Sequence, residues 1–325
     1  MMFASVFAKE LNDYYALRKA SQSQKGLAAD CTDLGGFDRY LAESGLSEKV
    51  FTEEALAAWI NSLTCKRSTL SSKIARIRGF IKYLNAIGIT AFLPELPRAA
   101  RDFEPYIYTD NEVDTIIAEA DNTPMSYITP GSRIHYSEAM LIRVLYGCGL
   151  RLGEALALQM KDVDFEGGIL TLLHTKGNVE RIVPMHPTLN EILHRYCMAM
   201  GLIGDPDAYV FPSMTNDYAI TKDCAQGRFE RILKRVAIEK KGKKPHERGP
   251  CLHCFRNVFI LKSIMQAEKS GVSINVHSTY LPTYLGHKSM LNTDRYIRFR
   301  NTHFPETLMA FEEFTDGIFP EVCDE

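Results

Sequence analysis

Two short β-prone runs, Ile169 to Leu173 and Val179 to Pro184, are separated by Thr175-Lys176-Gly177-Asn178, and nearly everywhere else the apolar residues of this chain recur at helical spacing. One segment cannot satisfy both patterns, because side chains repeat every ~3.6 residues on a helix and every ~2 on a strand. The intervening turn composition reads as a hairpin. A lone hairpin supplies only a small sheet, so the rest of the core must come from helix packed on helix. The pattern therefore predicts a mainly α protein carrying one small antiparallel sheet.

In the first hundred residues, Phe3 to Leu17, Leu27 to Ser44 and Thr52 to Leu63 are helix-like, and Thr52 followed by Glu53 and Glu54 supplies a hydroxyl cap and acids for a helix start. Ile74, Ile77, Phe80, Ile81 and Leu84 continue the helical spacing. Around them lie Lys66, Arg67, Lys73, Arg76, Arg78 and Lys82, with no acid between Cys65 and Lys82. That stripe reads either as an ordinary solvated face or as a phosphate-contacting one. Pro94, Pro97 and the polar stretch Arg98 to Pro105 break the periodicity. The expected organisation is an N-terminal helical domain over 1–98, a linker over 99–105 and a second, mostly helical domain over 106–325. The second opens on Thr109-Asp110-Asn111-Glu112, a capping-box pattern that starts a helix near Asp110. Helical patterns over Glu138 to Leu145 and Gly153 to Leu158 precede the hairpin, and they return from Pro187 onward.

At 325 residues, 46% hydrophobic and 24% charged, the chain can bury about two domain cores. Its apolar runs, such as Leu141 to Leu145 with Arg143 inside, fall far short of the roughly 20 residues of a membrane span. Met1 to Glu10 lacks the basic start and long apolar stretch of an export signal. Eight cysteines without framework spacing read as reduced thiols. A cytoplasmic protein without a membrane partner is expected. The net charge of −2 does not point to a polyanionic partner, but binding follows local charge. A second basic zone, Lys222 to Arg248, contains Arg228, Arg231, Lys234, Arg235, Lys240, Lys241, Lys243 and Lys244, and its end over Lys240 to Pro250 reads as a loop. Basic zones in two domains suit a clamp around a duplex, with phosphate contacts supplying much of the affinity.

Four motifs follow in order in the second region: Tyr146-Gly147-Cys148-Gly149-Leu150-Arg151-Leu152-Gly153-Glu154, Lys176-Gly177-Asn178, His253-Cys254-Phe255-Arg256, and Leu285-Gly286-His287 with Tyr296 beyond it. The ordered set resembles the tyrosine recombinase (phage integrase) family, including its Xer-type members. The likeness covers Tyr106 to about Arg300 and extends more loosely to the N-terminal helices, which resemble the family's core-binding domain. It implies an active site of Arg151, Lys176, His253, Arg256, His287 and the nucleophile Tyr296. It also implies double-stranded DNA target sites, cleavage through a 3′-phosphotyrosine link that releases a 5′-hydroxyl, and a homo-oligomer that is a tetramer on synapsed DNA. The phosphotyrosine link conserves the bond energy, so no cofactor is implied, and no Walker-type loop is present.

The residue types suit that chemistry. A phosphodiester transition state concentrates charge on its nonbridging oxygens, which the planar, permanently charged forks of Arg151 and Arg256 can bind. At an effective dielectric near 20, unit charges about 4 Å apart interact by roughly 4 kcal/mol. A free tyrosine titrates near pH ~10, so Tyr296 needs neighbouring cations and a proton acceptor, for which His253 is the candidate. Lys176, at a hairpin tip, can protonate the leaving 5′-oxygen. His287 can hydrogen-bond the phosphate, and Glu154, one turn from Arg151, can orient the basic groups or be an ordinary surface charge.

Tyr280 and Tyr284 compete with Tyr296 for the nucleophile's role, but Tyr284 falls where the family has apolar packing. Two departures from the family pattern stand out: Asn257 follows Arg256 where many relatives carry a histidine, and Gln266 to Tyr280 is longer than in compact Xer-type proteins. Cys251 and Cys254 bracket His253, yet no second ligand pair completes a zinc site, so no metal is expected. Phe304, Leu308, Phe311 and Phe314 form a stripe at roughly helical spacing, for self-packing or for docking on a neighbouring protomer. The leading expectation is a site-specific DNA recombinase acting in integration, excision or resolution. A type IB topoisomerase-like relaxing enzyme and a catalytically silent DNA-binding accessory protein are the alternatives.

Overall fold

A computed structural model describes residues 3–22, 24–97, 105–122, 134–173, 180–214, 218–240, 249–271 and 274–286. Among these are eleven α-helices and three short strands, and the chain divides into two compact units, Met1–Phe103 and Glu104–Glu325.

The first unit packs α1 (Ala8–Ser21), α2 (Gln24–Glu43), α3 (Glu53–Ser62) and α4 (Arg67–Ala86). The apolar spacing of α4 becomes one buried face, Ile74, Ile77, Phe80, Ile81 and Leu84, set against Phe7, Leu11, Leu34 and Phe37. Aromatic contacts tie the helices together: Phe7 stacks on Phe51 with ring centroids 4.4 Å apart, and Phe37 meets Trp59 edge-on at 4.7 Å. Thr52 caps α3 by accepting the Ala55 N–H, as its sequence position suggests. α1 starts later than the apolar pattern from Phe3 suggests. The Asp38 carboxylate accepts the amides of Ala4 and Ser5 at 2.8 and 3.0 Å, and the Ser5 hydroxyl accepts that of Phe7, so side chains hold this segment in a turn.

The basic stripe of α4 is not uniformly open. Arg76 reaches α2, where it pairs with Asp33 at 2.5 Å and lies 3.6 Å from Asp30, a buried carboxylate that also takes the Arg18 Nε–H at 2.8 Å. Arg78 donates to the Pro94 carbonyl. These two arginines therefore hold the unit together, whereas Lys66, Arg67 and Lys82 are exposed and Lys73 is half-buried.

In the second unit the expected capping box is present. Thr109 Oγ1 accepts the Glu112 amide and Glu112 accepts the Thr109 amide at the start of α5 (Asp110–Asp121). At the centre lies α6 (Ile134–Cys148), whose Met140, Leu141, Ile142, Val144 and Leu145 are all buried. α5, α8 (Pro187–Met200) and α10 (His253–Lys269) pack around it. α7 (Leu152–Ala157), α9 (Lys222–Arg235) and α11 (Ile274–Leu285) complete the helices. The sheet is antiparallel in the order β1 (Val163–Asp164), β2 (Ile169–Leu172), β3 (Arg181–Pro184), with Leu170 opposite Val183 and Leu172 opposite Arg181. The β2–β3 pairing matches the sequence pattern, and the hairpin turn itself lies outside the described residues. β1 has two residues, too few to show a period. No described helix is long and apolar enough to cross a membrane.

Candidate active site

α6 and α7 are joined by a turn that only glycine can make. Gly149 has φ +60°, and a Cβ there would fall 2.3 Å from the Phe259 ring on α10. The turn delivers Arg151 to the position just before α7. Glu154, in the first turn of α7, accepts the Arg151 backbone amide at 2.9 Å and its Nη1 at 2.7 Å. One carboxylate thus caps the helix and fixes the guanidinium.

A second arginine reaches the same carboxylate. On β3, Arg181 faces the same side as buried Val183, two residues on, while Ile182 points outward and is 63% exposed. Arg181 donates from Nη2 to Glu154 Oε2 at 2.7 Å and from Nη1 to Oε1 at 3.2 Å. Its Nε is buried without a hydrogen-bond partner among the described residues. Burial alone would raise the Glu154 pKa. The hydrogen bonds from Arg181, from the Arg151 amide and from the Arg151 guanidinium outweigh it and hold the carboxyl down to about 2.

Arg256 lies one turn into α10 and is almost wholly buried. Its Nη1 donates to the Gly149 carbonyl at 2.6 Å and its Nη2 to the Leu285 carbonyl at 2.8 Å. Arg151 Nη2 donates to the next carbonyl, Gly286, at 3.0 Å. The two arginines, far apart in sequence, therefore meet on adjacent carbonyls at the C-terminal end of α11, where backbone dipoles favour cations. Gly286 turns at φ +62°, and a Cβ there would lie 3.1 Å from Arg181 Nη1 and 3.7 Å from Arg151 Nη1. Three guanidiniums and one carboxylate share this region, a net excess of two positive charges suited to an anion.

Of the residues singled out in the sequence, Arg151, Glu154 and Arg256 are thus brought together, and His253 is exposed one turn before Arg256. Lys176, His287 and Tyr296 lie outside the described residues, as do Lys241, Lys243, Lys244 and the Phe304 to Phe314 stripe. Tyr284 is built into the packing. Its ring stacks on Phe259, its hydroxyl donates to the Cys148 carbonyl at 3.1 Å, and burial pushes its pKa up, the reverse of what a nucleophile needs. Tyr280 is 69% exposed. In the second basic zone, Arg235 pairs with Glu119 on α5. Sequence reasoning missed Arg181. The signal was available, since an arginine two residues before an inward-facing valine on a strand must share its face.

Comparison with known proteins shows what the chain is similar to. The chain is 24% identical over 313 residues to tyrosine recombinase XerD of Rickettsia conorii, covering 90% of this chain and 94% of that one. Among solved structures, XerH site-specific recombinase bound to a palindromic difH substrate superposes with a TM-score of 0.67 at 19% identity, covering 91% of this chain and 82% of the other. A lambda integrase tetramer bound to a Holliday junction gives 0.62 at 17% identity, covering 86% and 77%. These structural likenesses are likenesses of fold. The phage integrase family model matches residues 107–303, more than half of the sequence and the whole of the region that builds the arginine cluster. The chain belongs to the phage integrase family.

Proposed function

We propose that this protein is a tyrosine-type site-specific DNA recombinase, which cuts and rejoins DNA strands through a 3′-phosphotyrosine intermediate. The observation that carries the reading is the meeting of Arg151 and Arg256 on the adjacent carbonyls of Leu285 and Gly286, in a chain of this family. Arg151 and Arg256 bind the nonbridging oxygens of the scissile phosphate and stabilise the charge that builds there. Two of the five N–H donors of Arg151 are engaged by described residues, which leaves donors for the phosphate. Tyr296 attacks phosphorus, His253 accepts its proton, and Lys176 protonates the departing 5′-oxygen. His287, the residue after the arginine-bound Gly286, hydrogen-bonds the phosphate. Glu154 and Arg181 act one step back by fixing Arg151.

The 1–98 helical domain is the core-binding domain, with Lys66, Arg67 and Lys73 on phosphates. Arg76 and Arg78 serve mainly as its internal ties. Lys241, Lys243 and Lys244 supply the phosphate contacts of the 106–325 catalytic domain. The working assembly is a homotetramer on two synapsed sites, docked through the Phe304 to Phe314 stripe, in the cytoplasm of a cell or in a mobile element's host.

The test is covalent trapping on nicked fragments of the source genome. The expected result is an SDS-resistant protein–DNA adduct, formed without ATP or added metal and lost in Tyr296→Phe. An equal adduct with Tyr296→Phe would sink the assignment of the nucleophile. Relaxation of any supercoiled plasmid without a preferred site would move the reading to a type IB topoisomerase-like enzyme.

A further inference from the structure

Cys251 and Cys254 stand one turn apart where the chain enters α10, with their Sγ atoms 3.5 Å apart. The Cys254 amide donates to the Cys251 carbonyl at 2.9 Å, which fixes the turn. Such a turn brings the two Cα atoms within about 7 Å, overlapping the roughly 4.4–6.8 Å that a disulfide spans. The thiols need to close by only about 1.5 Å to reach bonding distance. They are unequally placed. Cys254 is buried in the core of the second unit beside Phe255, whereas Cys251 is half-buried, and its carbonyl accepts the Tyr108 hydroxyl at 3.2 Å. Between them sits His253, exposed, on the turn that would have to tighten.

We propose that Cys251 and Cys254 form a reversible dithiol–disulfide pair whose closure shifts His253 and slows DNA cleavage. With a peroxide as oxidant, the Cys251 thiolate attacks one peroxide oxygen, giving a sulfenic acid and, after protonation, one water. The Cys254 sulfur then displaces the sulfenic oxygen, forming the S–S bond and a second water, so two thiols are oxidised and one peroxide is reduced to two waters. A dithiol reductant reverses the change by exchange. Burial pushes the Cys148 and Cys197 thiols up to about 12, which removes them as competing nucleophiles. Cys65 and Cys224 are exposed and would cross-link between molecules, a product distinguishable by size.

The effect on cleavage rests on the role given to His253 in the proposed function, and the bond formation does not. The full-length protein is treated with hydrogen peroxide, alkylated and mapped by mass spectrometry, and its covalent DNA adduct is measured before and after dithiothreitol. The expected result is a loss of about 2 Da in the peptide holding both cysteines, with an adduct yield lowered at least about ten-fold and restored by the reductant. Cys251→Ser and Cys251→Ala should keep their adduct through the same treatment. Full alkylation of both thiols after oxidation overturns the proposal, as does a closed disulfide with undiminished adduct, or equal peroxide sensitivity in the Cys251 variants. Failure of the recombinase reading looks different: the reduced protein forms no adduct at all, while mapping still shows whether the pair closes.

Discussion

Replacing Glu154 by glutamine keeps the side chain's shape but removes the charge that holds two guanidiniums. The carboxylate accepts four hydrogen bonds, from Arg151 N and Nη1 and from Arg181 Nη1 and Nη2, and is almost fully buried. Its pKa is lowered from the ordinary 4.5 to about 2. At about 1.4 kcal/mol per unit, that difference corresponds to about 3 kcal/mol of stability at neutral pH, within the roughly 3–5 kcal/mol lost when one partner of a buried pair is removed. Because the folded pKa lies below the unfolded one, this stabilisation is complete above about pH 4.5 and is lost as the pH falls toward 2. The glutamine variant should therefore be less stable at pH 7 and lack this part of the acid-induced decline. The single tryptophan, Trp59, lies in the core of the first unit, so its fluorescence serves as an internal control and should not shift. Hydrogen exchange of the α7 and β3 amides in the full chain reports the second unit and should lose about 3 kcal/mol of protection. A loss under about 1 kcal/mol, or an unchanged acid slope between pH 4.5 and 2, would refute this account of the cluster.

Glu138 behaves in the opposite sense: burial pushes it up to about 7 against the attraction of Arg228, Arg231 and Arg235. The folded state then holds a proton that the unfolded state releases, so stability declines as the pH rises from about 4.5 to 7, and Glu138→Gln should be more stable by on the order of 2 kcal/mol at pH 8 in a urea titration. Gly149→Ala meets both a left-handed backbone and the Phe259 ring. It should cost at least about 2 kcal/mol in thermal unfolding and abolish the DNA adduct. The exposed Arg67 and the ion-paired Arg76 should separate cleanly. Arg67→Ala lowers the slope of log affinity against log salt by about 1 without touching stability, whereas Arg76→Ala takes from Asp33 its Arg76 ion pair, Asp30 keeping Arg18, and lowers the unfolding free energy followed by Trp59 fluorescence by about 1–2 kcal/mol.

Much of this was legible in the residues because it is written in local periods. The 3.6-residue spacing of Ile74, Ile77, Ile81 and Leu84 gave a buried face, Thr109 with Glu112 gave a helix start, and the β-prone run Val179 to Pro184 gave a strand. Arg151 and Arg256 were readable as a set because their motifs fall in order. That they converge on the carbonyls of Leu285 and Gly286 was not readable, since backbone acceptors carry no residue-type signal. The inward ties of Arg76 and Arg78 were unreadable for a related reason. Charge counted along one helix ignores what neighbouring segments offer, here the acids Asp30 and Asp33 of α2 for Arg76 and the Pro94 carbonyl for Arg78. Arg181 belongs to none of the four motifs, and only its place on the same strand face as buried Val183 marks it.

The grip of Arg151 and Arg256 on the carbonyls of Leu285, which ends α11, and of Gly286 just past it makes the length of that helix a determinant of where the two guanidiniums sit. Each residue inserted into α11 would turn its final carbonyls by about 100° around the axis and carry them about 1.5 Å along it, off both guanidiniums. Exchanging C-terminal segments between homologues should therefore succeed with a junction after Gly286 and fail with one inside α11 that changes its length. In this cluster, the spacing of a helix is chemistry in the same sense as an arginine.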